Sequence, residues 1–430
     1  MNIASKIAKE STITFSGMVY GNINRYLYTA LLARWVGVEY LGIYSLANAI
    51  MLIGEVIAKM GLETGVMRFV SRLDPETDKF QIQKNIQSAL KMTGIFSIGI
   101  AILLAGFAWL LVDIFKGTLL LHTAIIVFAF AIPFNAVTLV SAFATQGFKL
   151  LKYKVFTTQF LNPTLLLLVM VISYSTISKE SAIILPMAVT GVLGSITMFL
   201  ILKNVSGVKL MGVLSAPFDE KLLAYSIPLM LVTILQTFMH WMDILMLGYF
   251  TDASVVGLYH PAARTAGLLQ ALLISFLSIY TPIMSQLHGK GDLAKMSLLY
   301  KMVSRWLITF SIPISLVFIL YPVKVMLLFG PDYIDSASVL VLLTIAAFVQ
   351  TAVGAAGPIL SMSGYTRLVL WNSLGAFILN LVLNIILIPT FGIMGAAWAT
   401  LISLTALSLA RIIEVQLILK LSFFSSRLYK

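Results

Sequence analysis

The sequence predicts an all-α, polytopic membrane protein with twelve transmembrane helices arranged as two lobes of six. Three observations support this fold class. Hydrophobic residues make up 60% of the 430 positions and charged residues only 11%, whereas soluble domains are about half apolar and a quarter charged. Apolar runs repeatedly reach the roughly 20 residues that a helix needs to cross hydrocarbon. Finally, a pattern in the first quarter of the chain returns in the second half.

Hydropathy gives the position of each span along the chain. The spans are predicted at 12–35, 40–66, 86–112, 118–146, 154–177, 181–202, 222–249, 254–282, 297–322, 334–362, 366–388 and 393–420. Their residues do not alternate between polar and apolar in segments of about ten, so a β-barrel is excluded. Prolines inside or near the entries of several spans, such as Pro133 and Pro228, predict kinks or local breaks.

The internal repeat relates the second span to the eighth. The segment LARWVGVEYLGIYSLANAIMLIG is echoed by LGYFTDASVVGLYHPAARTAGLL, and aligning Gly42 with Gly257 gives an offset of 257 − 42, or 215, half the chain length. Six spans per half leave both copies in the same orientation, related by an axis along the membrane normal. The predicted domains are an N-terminal lobe at 1–203, a cytoplasmic linker at 204–221 and a C-terminal lobe at 222–430.

The distribution of basic residues predicts the orientation. If the N-terminus is cytoplasmic, 21 of the 29 lysines and arginines fall on the cytoplasmic side, and the positive-inside rule is satisfied. We therefore expect a multi-pass protein of the cell membrane with both termini in the cytoplasm. The net charge of +12 is then explained by loops beside anionic headgroups, and no nucleic-acid partner is needed.

Composition also limits the chemistry. The chain contains no cysteine, which excludes disulfides and thiolate sites. Its four histidines are widely spaced, so we predict neither a metal site nor another cofactor.

Polar residues fall on single faces of four spans when the sequence is plotted at 100° per residue. A charge at mid-membrane costs roughly 2.5–3.5 kcal/mol, so these residues are expected to face one another or a wet cavity where the two lobes meet. The predicted substrate-binding residues are Arg25, Asn24, Lys59, Arg264, Gln236, His240 and Trp241. The predicted ion-coupling residues are Asp243 and Glu55.

Structural interpretations of the same residues remain open. Glu55 and Lys59 are spaced i, i+4, as in an ordinary helix ion pair. Arg25 could extend its guanidinium towards an interface, and Asp243 could form a structural pair with His240.

Further polar residues also have structural interpretations. Arg264 could form an ion pair with Asp252 or bind lipid headgroups. Near the end of the last span, Arg411 and Glu414 are interpreted as structural. The pair Gly17 and Gly21 is interpreted as a site of close helix packing.

The order and spacing of several motifs resemble a known family. The segments LLARWVGVEYLGIYSLANAI and GLETGVMRFVSR, then MDILMLGYFTDASVVGLYHPAAR and TPIMSQLHGKGD, and finally LNIILIPTFGIMGAAWATLIS are similar to the Wzx-like polysaccharide and lipid-linked oligosaccharide flippases. These proteins are a branch of the multidrug/oligosaccharidyl-lipid/polysaccharide exporter superfamily.

This resemblance implies two six-helix lobes in a V shape, around a cavity that opens alternately to either face. It implies a flippase, not an enzyme, that moves a polyprenyl-pyrophosphate-linked oligosaccharide to the outer leaflet during surface polysaccharide biosynthesis. Asp243 lies in the W-x-D-like motif of the family and Arg264 in its A-A-R motif. The resemblance implies membrane lipids and the lipid-linked glycan as partners. It leaves open whether glycosyltransferase or glycan polymerase machinery also binds.

Our hypothesis assigns a role to each class of cavity residue. The cations bind pyrophosphate, because the arginine fork matches phosphate oxygens. The amides, His240 and Trp241 contact sugars, and the carboxylates couple transport to H⁺ or Na⁺ entry.

Two alternatives stay open. One is a cation-coupled multidrug or small-molecule exporter on the same fold. Multidrug exporters of the superfamily typically carry an acidic residue in the first span. Here that span has Asn22, Asn24 and Arg25 instead, which disfavours this alternative. The other alternative, a membrane-embedded glycan polymerase, is disfavoured by short outer loops with scattered acidic residues.

Overall fold

The computed structural model describes residues 3–419, with side chains from residue 12 onwards except at positions 210, 278, 279, 282 and 293. Every regular element in this range is helical. The α-helices are α1 (Ile3–Val36), α2 (Val38–Lys59), α3 (Leu62–Ser71), α4 (Lys79–Gly106), α5 (Ala108–Ile114), α6 (Leu119–Gly147), α7 (Leu151–Val155), α8 (Asn162–Thr176), α9 (Lys179–Ser206), α10 (Leu210–Ser215), α11 (Glu220–Phe250), α12 (Ala253–Gly289), α13 (Leu293–Leu320), α14 (Pro322–Met326), α15 (Ala337–Val353), α16 (Ala356–Met362), α17 (Thr366–Phe391) and α18 (Ile393–Ile418). A π-helix occupies Phe156–Leu161 and a 3-10 helix Pro331–Ser336.

These helices follow the twelve predicted spans. Within the described residues, ten helical segments are long and apolar enough to cross a membrane. The two other long helices, α1 with 34 residues and α12 with 37, coincide with the first and eighth predicted spans. The predicted all-α membrane fold is confirmed, and the chain is a multi-pass membrane protein. The last residues of the chain and its first two, on which the predicted positions of the termini depend, lie outside the described residues.

Only some of the prolines adjoin irregular segments. Pro163 lies at the start of α8, directly after the π-helix. Pro133 and Pro228 lie inside the continuous helices α6 and α11. The second span instead breaks between α2 and α3 at Met60 and Gly61, and the fifth changes from α7 to π-helix at Phe156. The break in the second span adjoins Lys59, a predicted site residue, whereas the fifth span carries none of the predicted site residues.

The chain divides into two compact units, Met1–Gly257 (unit 1) and Leu258–Lys430 (unit 2). In unit 1, α6 packs against α2, α3, α4 and α9, and α11 packs against α2 and α3. A buried apolar cluster that includes Val66, Ile86 and Leu222 joins α3, α4 and α11. An isolated helix of ten residues is only marginally stable. The contacts of this cluster therefore stabilise α3 and fix its position.

The segment predicted as a linker is bonded to unit 1. It contains the short helix α10, and Lys91 of α4 donates to the Ala216 carbonyl at 2.8 Å. The Asp219 amide donates to Ser88 Oγ at 3.0 Å, while Asp219 itself caps α11 by accepting from the Leu222 amide. The position of the lobe boundary at 204–221 stays a prediction.

Unit 2 is built on α13, α15, α17 and α18. Its buried cluster includes Tyr280, Tyr300 and Ile359, and the Tyr280 hydroxyl donates to the Ala355 carbonyl at 3.3 Å. Asp292 caps α13 in the loop before it. The side-chain hydrogen bond with Lys295, at 2.8 Å, and the backbone bond from the same residue keep the pKa of Asp292 below its usual value.

The repeat-related glycines face each other where α2 meets the start of α12. A side chain added at Gly42 would collide with the Ala253 carbonyl, and one added at Gly257 would collide with the Val38 carbonyl. The two contacts are equivalent under the repeat, because 253 − 38 and 257 − 42 are both 215. Glycine at both positions therefore permits a backbone-to-backbone crossing.

Candidate functional site

The second span is interrupted between α2 and α3 by two residues with an unusual backbone conformation. Met60 has φ 50° and Gly61 has φ 71°, so two successive residues are left-handed between α2 and α3. Gly61 lies against the Ser226 carbonyl of α11, and Gly65, one turn later, lies against the Ser226 hydroxyl. Because neither glycine has a side chain, α11 approaches the broken helix closely at this point.

Three charged residues surround the break. Lys59 Nζ lies 3.1 Å from Glu55 Oε1 and 4.0 Å from Glu63 Oε1. All three residues are buried, at 5–8% exposure. Lys59 ends α2 and Glu63 lies in the first turn of α3, so each charge also complements the dipole of its own helix end. The cluster is thus closed around Lys59, with two carboxylates for one ammonium.

Lys154 is the neighbour that the sequence did not suggest. Its ammonium lies 3.4 Å from the centroid of the Phe143 ring and donates to Gln146 Oε1 at 2.9 Å. It is also within electrostatic range of Glu63. The four charges of Glu55, Lys59, Glu63 and Lys154 therefore sum to zero within unit 1.

Arg25 is bonded to the π-helix. Its Nη2 donates to the Thr158 carbonyl at 2.8 Å and its Nη1 to Gln159 Oε1 at 3.1 Å. Gly17 and Gly21 allow this approach, since side chains there would collide with the fifth span. A π-helix shifts the backbone hydrogen-bond register, and the guanidinium satisfies a carbonyl in that segment. At least two of the five N–H donors of Arg25 are thereby committed to protein.

Asn24 and Arg264 are placed differently from Arg25. Asn24 is buried, and its Nδ2 donates to the Tyr20 carbonyl one turn earlier at 3.0 Å. Arg264 is half-buried on α12, in unit 2. Of the predicted site residues, the structure therefore pairs Glu55 with Lys59, and it places Asn24 beside Arg25 on α1.

The polar residues of α11 have a different environment. None of residues 227–241 is buried, and Gln236 and His240 are exposed. Gln236 makes no hydrogen bond to any residue of the described range, although it lies at the centre of a 31-residue helix. The rings of His240 and Trp241 contact edge to face, with their centroids 5.3 Å apart. Asp243, one turn later, is half-buried.

Some parts of this site could have been found in the sequence. Thr158 and Gln159 are polar residues inside an otherwise apolar span, which is the signal that identifies a partner for Arg25. Lys154 lies at the boundary of the same span, where a basic residue normally indicates only a cytoplasmic loop. No comparable signal marks Lys154 as a member of the buried cluster.

Two family models match the chain. The model described as polysaccharide biosynthesis protein matches residues 7–288. The model described as MatE matches residues 228–386.

Among curated proteins, two from Haloferax volcanii are similar to the chain. The probable flippase AglR is 31% identical over 176 residues, which is 38% of this chain. The probable low-salt glycan biosynthesis flippase Agl15 is 28% identical over 167 residues, which is 39% of this chain. The chain spans 35% of the length of each of these relatives.

Among solved structures, the fold is shared with transporters. An inward-facing multidrug resistance MATE family transporter of the MOP superfamily matches with a TM-score of 0.79 at 13% identity, over 95% of this chain and 98% of that one. The lipid II flippase MurJ in an inward closed conformation matches with a TM-score of 0.75 at 16% identity, over 95% and 87% of the two chains. At these identities the similarity shows the fold alone.

Proposed function

We propose, since the chain belongs to the polysaccharide biosynthesis protein family, that it is a lipid flippase. Its substrate would be a polyprenyl-pyrophosphate-linked oligosaccharide, moved from the cytoplasmic to the outer leaflet by alternating access. The names of the two Haloferax relatives, a flippase and a glycan biosynthesis flippase, support this assignment. A flippase changes the position of its substrate and none of its covalent bonds, so no catalytic residue is assigned.

The observation that carries the proposal is the environment of Gln236. An unbonded amide costs several kcal/mol in hydrocarbon, and lipid-facing polar groups at mid-membrane are correspondingly rare. Gln236 is nevertheless exposed at the centre of α11. It must therefore contact water or a polar substrate, and the sugar hydroxyls of a glycan supply both donors and acceptors for an amide.

The neighbours of Gln236 extend this surface. His240 lies one turn further along α11 and Trp241 beside it, so an imidazole and an indole are added to the amide. Aromatic rings offer an apolar face to sugars and a polar edge for hydrogen bonds. We assign Gln236, His240 and Trp241 to the glycan.

The cations divide into structural and substrate-binding groups. Lys59 is enclosed by Glu55 and Glu63, and Arg25 is held by the π-helix. We therefore assign the pyrophosphate to Arg264, the half-buried arginine of the A-A-R motif, and give Arg25 and Asn24 a positioning role in α1.

The carboxylates divide in the same way. Glu55 is buried in its ion pair with Lys59. Asp243 is half-buried on α11, the helix that carries the exposed amide. We assign Asp243 to H⁺ or Na⁺ coupling, because an ionisable residue inside a span is a candidate for ion transport.

The test is a flipping assay in proteoliposomes. A polyprenyl-pyrophosphate-linked oligosaccharide is loaded on the inner leaflet, and its appearance outside is measured by cleavage with an added glycosidase. The wild-type chain should expose the glycan, and Gln236→Leu and Arg264→Gln should slow the reaction by at least about tenfold, since each removes a charged or amide contact. Leu231→Met, at another exposed position on α11, is the matched control and should flip normally. Failure of the wild-type chain to expose the glycan would refute the proposal.

The second candidate is a cation-coupled multidrug exporter. It is favoured by the match of residues 228–386 to the MatE family model and by the fold shared with a multidrug transporter. In the same vesicles, a pH or Na⁺ gradient should then drive efflux of a cationic dye, and the lipid-linked glycan should stay inside. The flippase proposal expects the reverse for both substrates.

A further inference from the structure

Arg411 of α18 is a half-buried cation for which the described residues provide no carboxylate within 4.0 Å. Its Nε is buried and has no hydrogen-bond partner. The guanidinium makes one marginal side-chain contact, from Nη2 to Ser373 Oγ at 3.5 Å. This arginine lies in a membrane-spanning helix of unit 2, where an uncompensated charge is costly.

The obvious partner of Arg411 is engaged elsewhere. Glu414 is spaced i, i+3 on the same helix and is within electrostatic range of Arg411. It lies more than 4.0 Å away, however, and its Oε2 accepts a 2.6 Å hydrogen bond from Asn372 Nδ2 on α17. On the other side the guanidinium lies against Gly357 of α16, where an added Cβ would be 3.4 Å from Arg411 Cζ. The absence of a side chain at Gly357 leaves space for the planar group.

We propose that Arg411, with Ser373 beside it, binds the phosphate group of a lipid at the membrane surface. The guanidinium presents a rigid fork of N–H donors that matches two phosphate oxygens. The Ser373 hydroxyl donates to the Val369 carbonyl and accepts from Arg411, so it orients the guanidinium. A bound phosphate supplies a counter-charge in direct contact with the exposed part of the guanidinium, where the described residues provide no carboxylate within 4.0 Å. The site lies within unit 2 and does not depend on the proposed transport function.

The position of the site in the helices fits a lipid headgroup. Ser373 lies seven residues after the start of α17, and Arg411 seven residues before the end of α18, which is about 10 Å from either helix end. Trp371 is 67% exposed on α17, and Ile413 is 54% exposed on α18. Tryptophan is enriched at the headgroup level, so Trp371 indicates the depth of the headgroups. Both residues are two positions from Ser373 or Arg411 and therefore lie on other faces of their helices.

The phosphate could come from a membrane phospholipid or from a polyprenyl pyrophosphate. Native mass spectrometry of the full chain, released from detergent after incubation with one lipid at a time, separates these sources. The three probes are phosphatidylglycerol, undecaprenyl pyrophosphate and phosphate-free diacylglycerol. Arg411→Gln should reduce retention of at least one phosphate-bearing probe by about tenfold or more, leaving diacylglycerol unchanged. The probe affected identifies the source of the phosphate.

A second variant keeps the proposal falsifiable if Arg411→Gln does not fold. Glu414→Gln removes the competing carboxylate and preserves an acceptor for Asn372. It should therefore increase retention of the phosphate lipid without loss of stability. If Arg411 served only to neutralise Glu414, the same variant would destabilise the protein and leave lipid retention unchanged, and the proposal would be overturned.

The matched control is Arg305→Gln, which removes an exposed arginine of unit 2. It should change retention of neither phosphate probe. An equal loss for Arg305→Gln and Arg411→Gln would mean that retention reflects net charge alone, which would also overturn the site.

Discussion

The second and seventh spans carry similar polar stripes, but the structure gives them opposite environments. In the most apolar 18 residues of α2, 72% of the positions are buried, against 11% in α11. The stripe of α2 is made of charges, Glu55 and Lys59, and they bind each other. The stripe of α11 has uncharged Gln236 and exposed His240 at the centre of its helix. Periodicity alone does not distinguish these two cases.

The difference shows which polar groups inside a membrane are available for a substrate. A buried charge must find a partner within the protein, because its desolvation is otherwise uncompensated. Once paired, it stabilises one conformation of the backbone, here the break at Met60 and Gly61. An exposed amide has no such constraint. Structural and transport roles should therefore separate experimentally between α2 and α11.

The largest effect is expected at Lys59. Lys59→Met leaves Glu55 and Glu63 buried without their shared ammonium, and breaking a buried ion pair costs about 3–5 kcal/mol. We expect a strong fall in the thermal midpoint and in the amount of folded protein recovered by size-exclusion chromatography. Lys152→Met, at an exposed position, is the control and should behave like the wild type.

A neutral version of the cluster separates charge from packing. The quadruple variant E55Q/K59Q/E63Q/K154Q removes all four charges and should recover most of the stability that Lys59→Met loses, since no unpaired ion of the cluster remains. If the quadruple variant is as unstable as Lys59→Met, the charges are not the cause.

The next effect is expected at Gly61. Gly61→Ala would place a Cβ against the Ser226 carbonyl in a left-handed conformation, and the conformation alone costs about 1–2 kcal/mol for a residue with a side chain. Gly207→Ala is the matched control, because Gly207 has φ 70° and its added Cβ would meet only the end of the Gln83 side chain. Gly61→Ala should lower the thermal midpoint further than Gly207→Ala. Equal losses would show that α11 does not press against the break.

A smaller effect is expected at Arg25. Arg25→Lys keeps the charge and loses the fork that reaches both Thr158 and Gln159, with an expected loss of about 1–3 kcal/mol from the unsatisfied carbonyl. Gln159→Leu removes only one of the two bonds and should cost less. Transport by Arg25→Lys, divided by the amount of folded protein, should stay near the wild-type value. A stable Arg25→Lys protein that does not transport would instead place Arg25 on the substrate.

The helices of this fold could be predicted from the sequence, because hydropathy over 20 residues is a local property and all twelve spans coincide with observed helices. The breaks in the helices could be predicted only in part. Gly61 is a plausible end of a helix, but Met60 carries no signal for its left-handed backbone. The partner of Arg25 lies more than 130 positions away, so no helical periodicity could identify it.

The repeat shows how far internal similarity can be used. An offset of 215 paired Gly42 with Gly257, and the structure brings these two glycines into reciprocal contact. The similarity relates the second span to the eighth. It could not show that α2 is enclosed and that α11 is exposed, because burial depends on the neighbouring helices and not on the span itself.

The smallest change in stability, and the clearest test of the comparison, is expected on α11. Gln236→Leu and His240→Phe alter exposed side chains. The free energy of unfolding should therefore change by no more than about 0.5 kcal/mol, and the thermal midpoint should stay close to the wild-type value. The same variants should lose glycan flipping, because the amide and imidazole are assigned to the substrate. Measured in one preparation, the Lys59 variant should lose stability and the α11 variants should lose transport at normal stability. If Gln236→Leu destabilised the protein as much as Lys59→Met, its amide would have a structural partner, and the distinction between the two spans would not hold.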